Sequence, residues 1–438
     1  MRDWRTEPLE RIAEIRSSNV DKKTNPGEES VRLCNYMDVY SREYITQDIE
    51  FMEATATPAE IQRFRIERGD VMITKDSETP DDIGIPAVVV DDIPKLVCGY
   101  HVALIKPNRA EVDPIYLAKQ LGLADTARYY GRLANGSTRY GLSYQSIART
   151  PVRLAPLPQQ WRIAGILSTV DEAIEQTEAL IAKTQQIKSG LMHDLFTRGV
   201  TADGQLRPPR EDAPQLYKES PLGWIPKEWD PATLNDLVSP ARPVVYGILM
   251  PGRGHPGGIP VIKVKDIVGG EVQGDDLLLT SPQIDAEYQR SKVRPRDVLL
   301  TIRGTVGRLA QVPTYLDGAN ITQDTARIGI ATGSPEFYRY YLETHVPRRH
   351  FAVNTLGQAV QGINLRDVRT TPVPIVSDGE QVRIAEMVVA VVYSERTERE
   401  HLAKLTQAKQ GLMQDLLSGR VSVLASAKPS APEVAANV

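Results

Sequence analysis

The sequence predicts an α/β protein in which two similar mixed α/β segments are each followed by one long helix. Three observations carry that reading. First, Thr150-Pro-Val, Gln160-x-Arg162-Ile163-Ala164 and Lys188-x-Gly190-Leu191-Met192-x-Asp194-Leu195 return as Thr371-Pro-Val, Gln381-x-Arg383-Ile384-Ala385 and Lys409-x-Gly411-Leu412-Met413-x-Asp415-Leu416. The offset is constant (371 − 150 = 221 and 411 − 190 = 221), and long-period self-similarity marks an internal repeat. Second, each copy carries apolar residues at a three-four spacing, which places them on one helical stripe. Third, the segments ahead of these stripes mix short strand-like runs with helical and glycine-punctuated stretches.

The first stripe is Ile163, Leu167, Val170, Ile174, Ile181, Leu191 and Leu195; the second is Ile384, Val388, Val391, Leu402, Leu405, Leu412 and Leu416. About 40 residues at 1.5 Å each give a rod of roughly 60 Å. A rod that long does not bury a stripe by itself, so the two stripes are expected to pack on each other. The polar run Glu395–His401 weakens the second seam. Gly190 and Gly411 recur at one place, where helix-interior glycine costs about 1 kcal/mol. They are either tolerated weak spots or the mark of a close backbone crossing.

In chain order, residues 1–150 form the first α/β segment. Val31–Cys34, Asp70–Thr74, Ala87–Val90 and His101–Ile105 read as strands, 114–123 as a helix, and Leu133–Leu142 as a polar loop. Residues 151–200 are expected to be the first long helix. Residues 201–220, with Arg207-Pro-Pro-Arg210, read as a linker. Residues 221–371 form the second segment, 372–423 the second long helix, and 424–438 a disordered tail. The second segment echoes the first: Trp229-x4-Leu234 answers Trp4-x4-Leu9, and Asp297-Val-Leu-Leu-Thr answers Asp70-Val-Met-Ile-Thr. Gly357-x4-Gly362-Ile363 answers Gly136-x4-Gly141-Leu142.

At 438 residues the chain has room for two or three domains. The N-terminal residues have no apolar core of the signal-peptide kind, and no apolar run is long enough to span a bilayer. Cys34 and Cys98 have no paired spacing, which argues against a disulfide framework or zinc site and fits a reducing cytoplasm. A net charge of −4 neither advertises nor excludes nucleic-acid binding, because local patches carry that contact.

Gly252-Arg-Gly-His-Pro-Gly-Gly258 matches the dinucleotide fingerprint as text, but Pro251, Pro256 and the extended stretch after Ile259 deny it the required helix. No Walker loop, metal-spaced histidine pair, nucleophile elbow or Asn/Asp-Pro-Pro-aromatic signature occurs. Arg303-Gly-Thr305-Val-Gly-Arg308 follows a strand. It is either an anion- or guanine-reading loop or a plain turn with surface arginines. Arg132, Ser137, Thr138, Arg139 and Tyr140 form another polar loop, answered by Gln358, Gln361 and Asn364, and Lys75 follows the Asp70–Thr74 strand. Guanidinium, hydroxyl and amide groups are what reading base edges requires.

The Pro-Leu-Gly-Trp-Ile-Pro-x-x-Trp phrase at 221–229, with the repeated Gln-x-Arg-Ile-Ala and Lys-x-Gly-Leu-Met-x-Asp-Leu helices, resembles the specificity subunits of type I restriction–modification systems. The resemblance implies a non-catalytic subunit that reads double-stranded DNA through two target-recognition domains. It implies that the helices form an antiparallel coiled coil with pseudo-two-fold symmetry that separates the domains. Ile163, Leu167, Val170, Leu191, Leu195, Ile384, Val388, Leu412 and Leu416 would then serve helix pairing and partner binding. The implied partners are two methyltransferase subunits, with restriction (motor-nuclease) subunits joining through them, and no membrane. S-adenosylmethionine, ATP and magnesium would belong to those partners, with no cofactor on this chain. The two segments share landmarks and diverge in their loops, so the target should be bipartite and asymmetric. One departure is that Ala155-Pro-Leu-Pro-Gln-Gln leads into the first helix but Ile375-Val-Ser-Asp-Gly-Glu into the second. Two other readings stand beside this one: a methyltransferase or nuclease with unrecognised motifs, and a coiled-coil scaffold that binds only proteins.

Overall fold

The computed structural model describes residues 4–357 and 361–423. Its α/β chain divides into two compact units, one made of the residues up to Glu178 together with those from Glu400, the other of Ala179–Arg399. The two cuts are separated by the spacing of the sequence repeat (399 − 178 = 221).

In the first unit a five-stranded sheet runs Ala13–Ser17, Val102–Pro107, Val71–Thr74, Pro86–Val89, Tyr44–Ile45. Its central strands are unbroken apolar runs because the sheet is covered on both faces. Val71, Ile73, Ala103 and Ile105 face one core with Tyr116, Leu117 and Tyr130. Met72, Val102 and Leu104 face another with Val31, Leu33 and Phe64. That is the two-residue alternation of a strand. A three-stranded sheet sets Glu29–Cys34 between Met52–Ala56, antiparallel, and Leu96–Cys98, parallel.

In the second unit a four-stranded sheet runs Val245–Tyr246, Thr325–Ile328, Val298–Thr301, Leu309–Gln311. Val298 and Leu300 face one core and Leu299 the other. Its three-stranded sheet sets Ile259–Ile262 between Leu278–Thr280, antiparallel, and Asn320–Ile321, parallel.

Several boundaries differ from the sequence expectation. The long helices are Leu157–Thr197 and Asp378–Leu417, because Pro151–Leu154 and Pro372–Ile375 are strands rather than first turns. These strands pair with Arg5–Pro8 and Asp230–Thr233, partners far away in the chain. The first short helix is Pro114–Leu121, ended by Gly122. The stretch 201–220 is not a free linker: Arg207 is buried in an ion pair with Glu380 at 2.5 Å, and Tyr217–Ser220 makes a hairpin with Gly223–Pro226. The expected tail, 424–438, lies outside the described residues.

The repeated helix motifs have identifiable work in both units. Gln160 is buried; its Oε1 accepts from the Asp113 N–H at 2.9 Å, and its Nε2 donates to the carbonyls of Ala155 at 2.8 Å and Glu111 at 3.0 Å. Gln381 accepts from the Ser334 N–H at 2.6 Å and donates to the Val376 carbonyl at 2.7 Å. Asp113 and Ser334 cap the helices Pro114–Leu121 and Pro335–Tyr341, so each glutamine ties the start of a long helix to the start of a short one.

The repeated lysine makes ion pairs in both units. In the first, Lys409 meets Asp171 at 2.7 Å, and Asp171 also takes Lys119 and the Tyr44 hydroxyl. Burial opposes ionisation of Asp171, but hydrogen bonds from Lys119, Lys409 and Tyr44 outweigh it and hold the carboxyl below its usual pKa. Its contribution to stability is therefore full above the ordinary carboxylate range and is lost as pH falls through the lowered value. In the second unit Lys188 meets Glu395 at 3.1 Å.

Replacing Gln160 or Gln381 with Ala should leave buried backbone groups unsatisfied and cost about 2–3 kcal/mol, measured by urea unfolding. A loss under about 0.5 kcal/mol, the size of an ordinary surface substitution, would show that the clamp is not structural.

Candidate nucleic-acid interface

The second unit gathers three of the sequence-selected side chains around one cleft. The chain after Thr301 meets Gly362 through a bridge from Arg303, and the Gly304 N–H donates to the Gln361 carbonyl at 2.9 Å. A second bridge joins Leu356 to Gly362, and Gly357 takes φ 103°, a conformation that favours glycine. Arg303, Gln361 and Asn364 line the resulting cleft of about 570 Å³, together with Tyr246, Leu249 and Gln323. Arg303 reaches Gln323 Oε1 at only 3.4 Å. Asn364 sits at the start of the helix Leu365–Arg369 without using its side chain as a cap. A guanidinium and three carboxamides lining one cleft supply both donors and acceptors for base edges.

Arg308 does not join them. Its Nη1 points to the Ile267 carbonyl at 3.4 Å, and the side chain lines a different groove with Glu271, Arg339, Arg348 and Glu395. The glycines on either side of Thr305, Gly304 and Gly307, both have positive φ, and the turn they make sends the two arginines to separate places. Thr305 is exposed, and its carbonyl accepts from the Thr301 hydroxyl. Gln358 lies outside the described residues.

In the first unit the polar loop is closed by a bridge between Asn135 and Gly141, and Tyr140–Gly141 pairs with Asp76–Ser77. Gly136 takes φ 146°, and a Cβ there would stand 1.8 Å from the Arg139 carbonyl, so the turn requires glycine. Ser137, Thr138 and Arg139 are exposed at the tip. Arg139 lines a groove of about 720 Å³ with Lys22, Tyr36, Tyr40, Asp76 and His101. Tyr140 packs against the core instead, Arg132 is exposed on the helix Ala124–Leu133, and Lys75 Nζ lies 3.5 Å from the Ser18 carbonyl. These three are outside the groove lining.

Sequence reasoning missed Gln323, Tyr246, Asp76 and His101. Asp76 had a usable signal: it stands two residues after Thr74 as Arg303 stands two after Thr301, in the matched Asp70–Thr74 and Asp297–Thr301 runs.

Of the helix-pairing candidates, Ile163, Leu167, Leu412 and Leu416 share a core in the first unit, and Leu191, Leu195, Ile384 and Val388 share one in the second. Val170 is half-buried. Large apolar side chains remain exposed on the helices within the second unit: Leu180 and Ile187 on the first, Val382, Val389 and Tyr393 on the second. Among the described residues no group of three or more His, Cys, Asp or Glu could hold a metal ion, and no helix is long and apolar enough to cross a membrane.

Residues 1–186 match the family described as the type I restriction modification DNA specificity domain. The chain is also 30% identical over 291 residues to the specificity subunit of the type I restriction enzyme EcoBI of Escherichia coli, a match covering 64% of this chain and 60% of that relative. It is 20% identical over 397 residues to the MjaVIII specificity subunit of Methanocaldococcus jannaschii, covering 89% of this chain and 87% of that one. The fold is similar to the S subunit of a type I restriction–modification system from M. genitalium, with TM-score 0.57 and 14% identity over 94% of this chain and 96% of that chain. It is also similar to a chain solved in work on assembly and conformational transition of the type I system, with TM-score 0.52 and 18% identity over 95% and 98%.

If the Arg303 cleft reads a base edge, Arg303→Ala should relax the preference at one base position at a cost of about 1–3 kcal/mol. Arg308→Ala should leave the recognised sequence intact and change at most the salt slope, by about one. Methylation mapping and binding at several salt concentrations check both. A wild-type sequence preference in the Arg303 variant would remove the cleft from base reading.

Proposed function

We propose that the chain is a non-catalytic, sequence-specific double-stranded-DNA-binding subunit that directs adenine methylation and restriction by type I partner subunits to a bipartite, asymmetric target. One observation carries this most directly. In each unit the loop that follows the buried strand meets the glycine-closed loop at a matched bridge, Asp76 to Gly141 and Arg303 to Gly362, yet the side chains presented there differ. A shared scaffold with different readers is what two unlike half-sites require.

In this reading the chain is an internal duplication, each α/β segment is one target-recognition domain, and the long helices pair antiparallel as the spacer between them. Within each unit, moving forward along the first helix corresponds to moving back along the second. Ile163 shares a core with Leu416 while Asp171 takes Lys409; Leu195 shares a core with Ile384 while Lys188 takes Glu395.

Two methyltransferase subunits would dock on the helices, and restriction subunits would join through them. S-adenosylmethionine, ATP and magnesium would be bound by those partners and not by this chain. The exposed apolar residues support docking: Leu180 and Ile187, like Val382 and Val389, are seven apart and so stay on one helix face.

The isolated chain should transfer no methyl group from S-adenosylmethionine to DNA, whereas its complex with the methyltransferase subunit should. Combining Ile187→Asp with Tyr393→Asp, both at exposed positions, should leave the melting temperature unchanged and lower the methyltransferase content from two per chain to one. Two retained subunits in this variant would rule out that face as a docking site, and methyl transfer by the isolated chain would rule out the non-catalytic role.

A further inference from the structure

We infer that Asp76 is a base-reading side chain of the first unit. It would accept a hydrogen bond from an exocyclic amine in the major groove, cytosine N4 or adenine N6, at the place where the second unit presents Arg303. The inference rests on the DNA-reading role proposed above and deepens it to one base pair.

The placement comes from the backbone. Gly141 and Gly362 occupy the same position of the sequence repeat (362 − 141 = 221), and each closes its loop by a bridge six residues back, to Asn135 and to Leu356. Each also bridges to the residue two beyond the threonine that ends the buried strand, Asp76 after Thr74 and Arg303 after Thr301. The scaffold therefore delivers a carboxylate in one unit and a guanidinium in the other.

Asp76 is aimed rather than loose. His101 Nδ1 lies 2.8 Å from its Oδ2, and the His101 ring packs on Tyr100 with centroids 3.6 Å apart. Oδ1 lies beside Gly141, where a Cβ would stand only 3.2 Å away, so the glycine keeps that oxygen approachable. The side chain retains 37% of its exposed surface and lines the groove.

The groove chemistry selects the ligand class. Asp38, Glu50, Glu78 and Asp82 line it against Lys22 and Arg139, a balance that disfavours a phosphate and favours a hydrogen-bond donor. In the major groove a carboxylate accepts from an amine, whereas guanine O6 and N7 and thymine O4 are acceptors that would face it unpaired. Arginine makes the opposite choice and donates to guanine. The two half-sites should therefore carry opposite hydrogen-bonding edges at this corresponding position.

The test is methylation mapping with complexes of the full chain and its methyltransferase partner, comparing wild type, Asp76→Ala and Asp76→Asn. Wild type should require an amine-bearing base, cytosine or adenine, at one position of the first unit's half-site. Asp76→Ala should cut the preference at that position about five- to hundredfold, and Asp76→Asn should move it toward adenine, which a carboxamide reads through N6 and N7. The second half-site should stay as it was in both variants, which also reports that they fold and assemble. An unchanged sequence preference in Asp76→Ala, or loss of methylation at every site in an assembled complex, overturns the inference. A wild-type complex with no bipartite preference overturns the DNA-reading proposal itself, and this inference with it.

Discussion

The constraint on which the rest of the structure depends is that neither long helix can bury its apolar stripe by itself. Each half of each helix is completed by an α/β core and by residues of the other helix. In the first unit Ile163 and Leu167 share a core with Leu416 and Leu417; in the second, Leu195 and Phe196 share one with Ile384, Ala385 and Val388. The polar clamps sit beside these contacts: the buried glutamines fix where each helix starts, and the repeated lysines set charge pairs with Asp171 and Glu395. In each pair the carboxylate is buried and the lysine half-buried, so removing the lysine leaves a buried charge uncompensated. They therefore fix helix register more than they add net stability.

That frame also positions the candidate clefts. The buried strands Val71–Thr74 and Val298–Thr301 are covered on both faces and offer no freedom. Chemistry is delegated to the loops at their ends, where glycines with positive φ allow tight closure without a large side chain. One cleft is lined by a guanidinium and carboxamides, the other by carboxylates with a histidine and an arginine. The same backbone device thus presents different hydrogen-bonding edges.

Much of this was legible in the sequence, for local reasons. The 221-residue spacing, the strand-like runs and the apolar stripes depend on residue type and period alone. The misreadings have a common cause in non-local pairing. Pro151–Leu154 reads as part of the helix that follows because its partner, Arg5–Pro8, lies at the other end of the segment. Arg207 looked like part of a solvated linker because Glu380 is far away in the chain. Arg303 and Arg308 looked like one surface because spacing does not reveal that a turn with two positive-φ glycines separates them. The matched Asp70–Thr74 and Asp297–Thr301 runs put Asp76 in register with Arg303, but only the bridge to Gly141 shows that it faces the polar loop.

The proposed function makes the two units separate readers on one scaffold. Mapping methylated adenines in genomic DNA exposed to the reconstituted complex tests it most directly. Two separate readers should give a two-part recognition sequence with two different halves and an unread gap of fixed length. A single contiguous sequence, two identical halves, or methylation without sequence preference would contradict it.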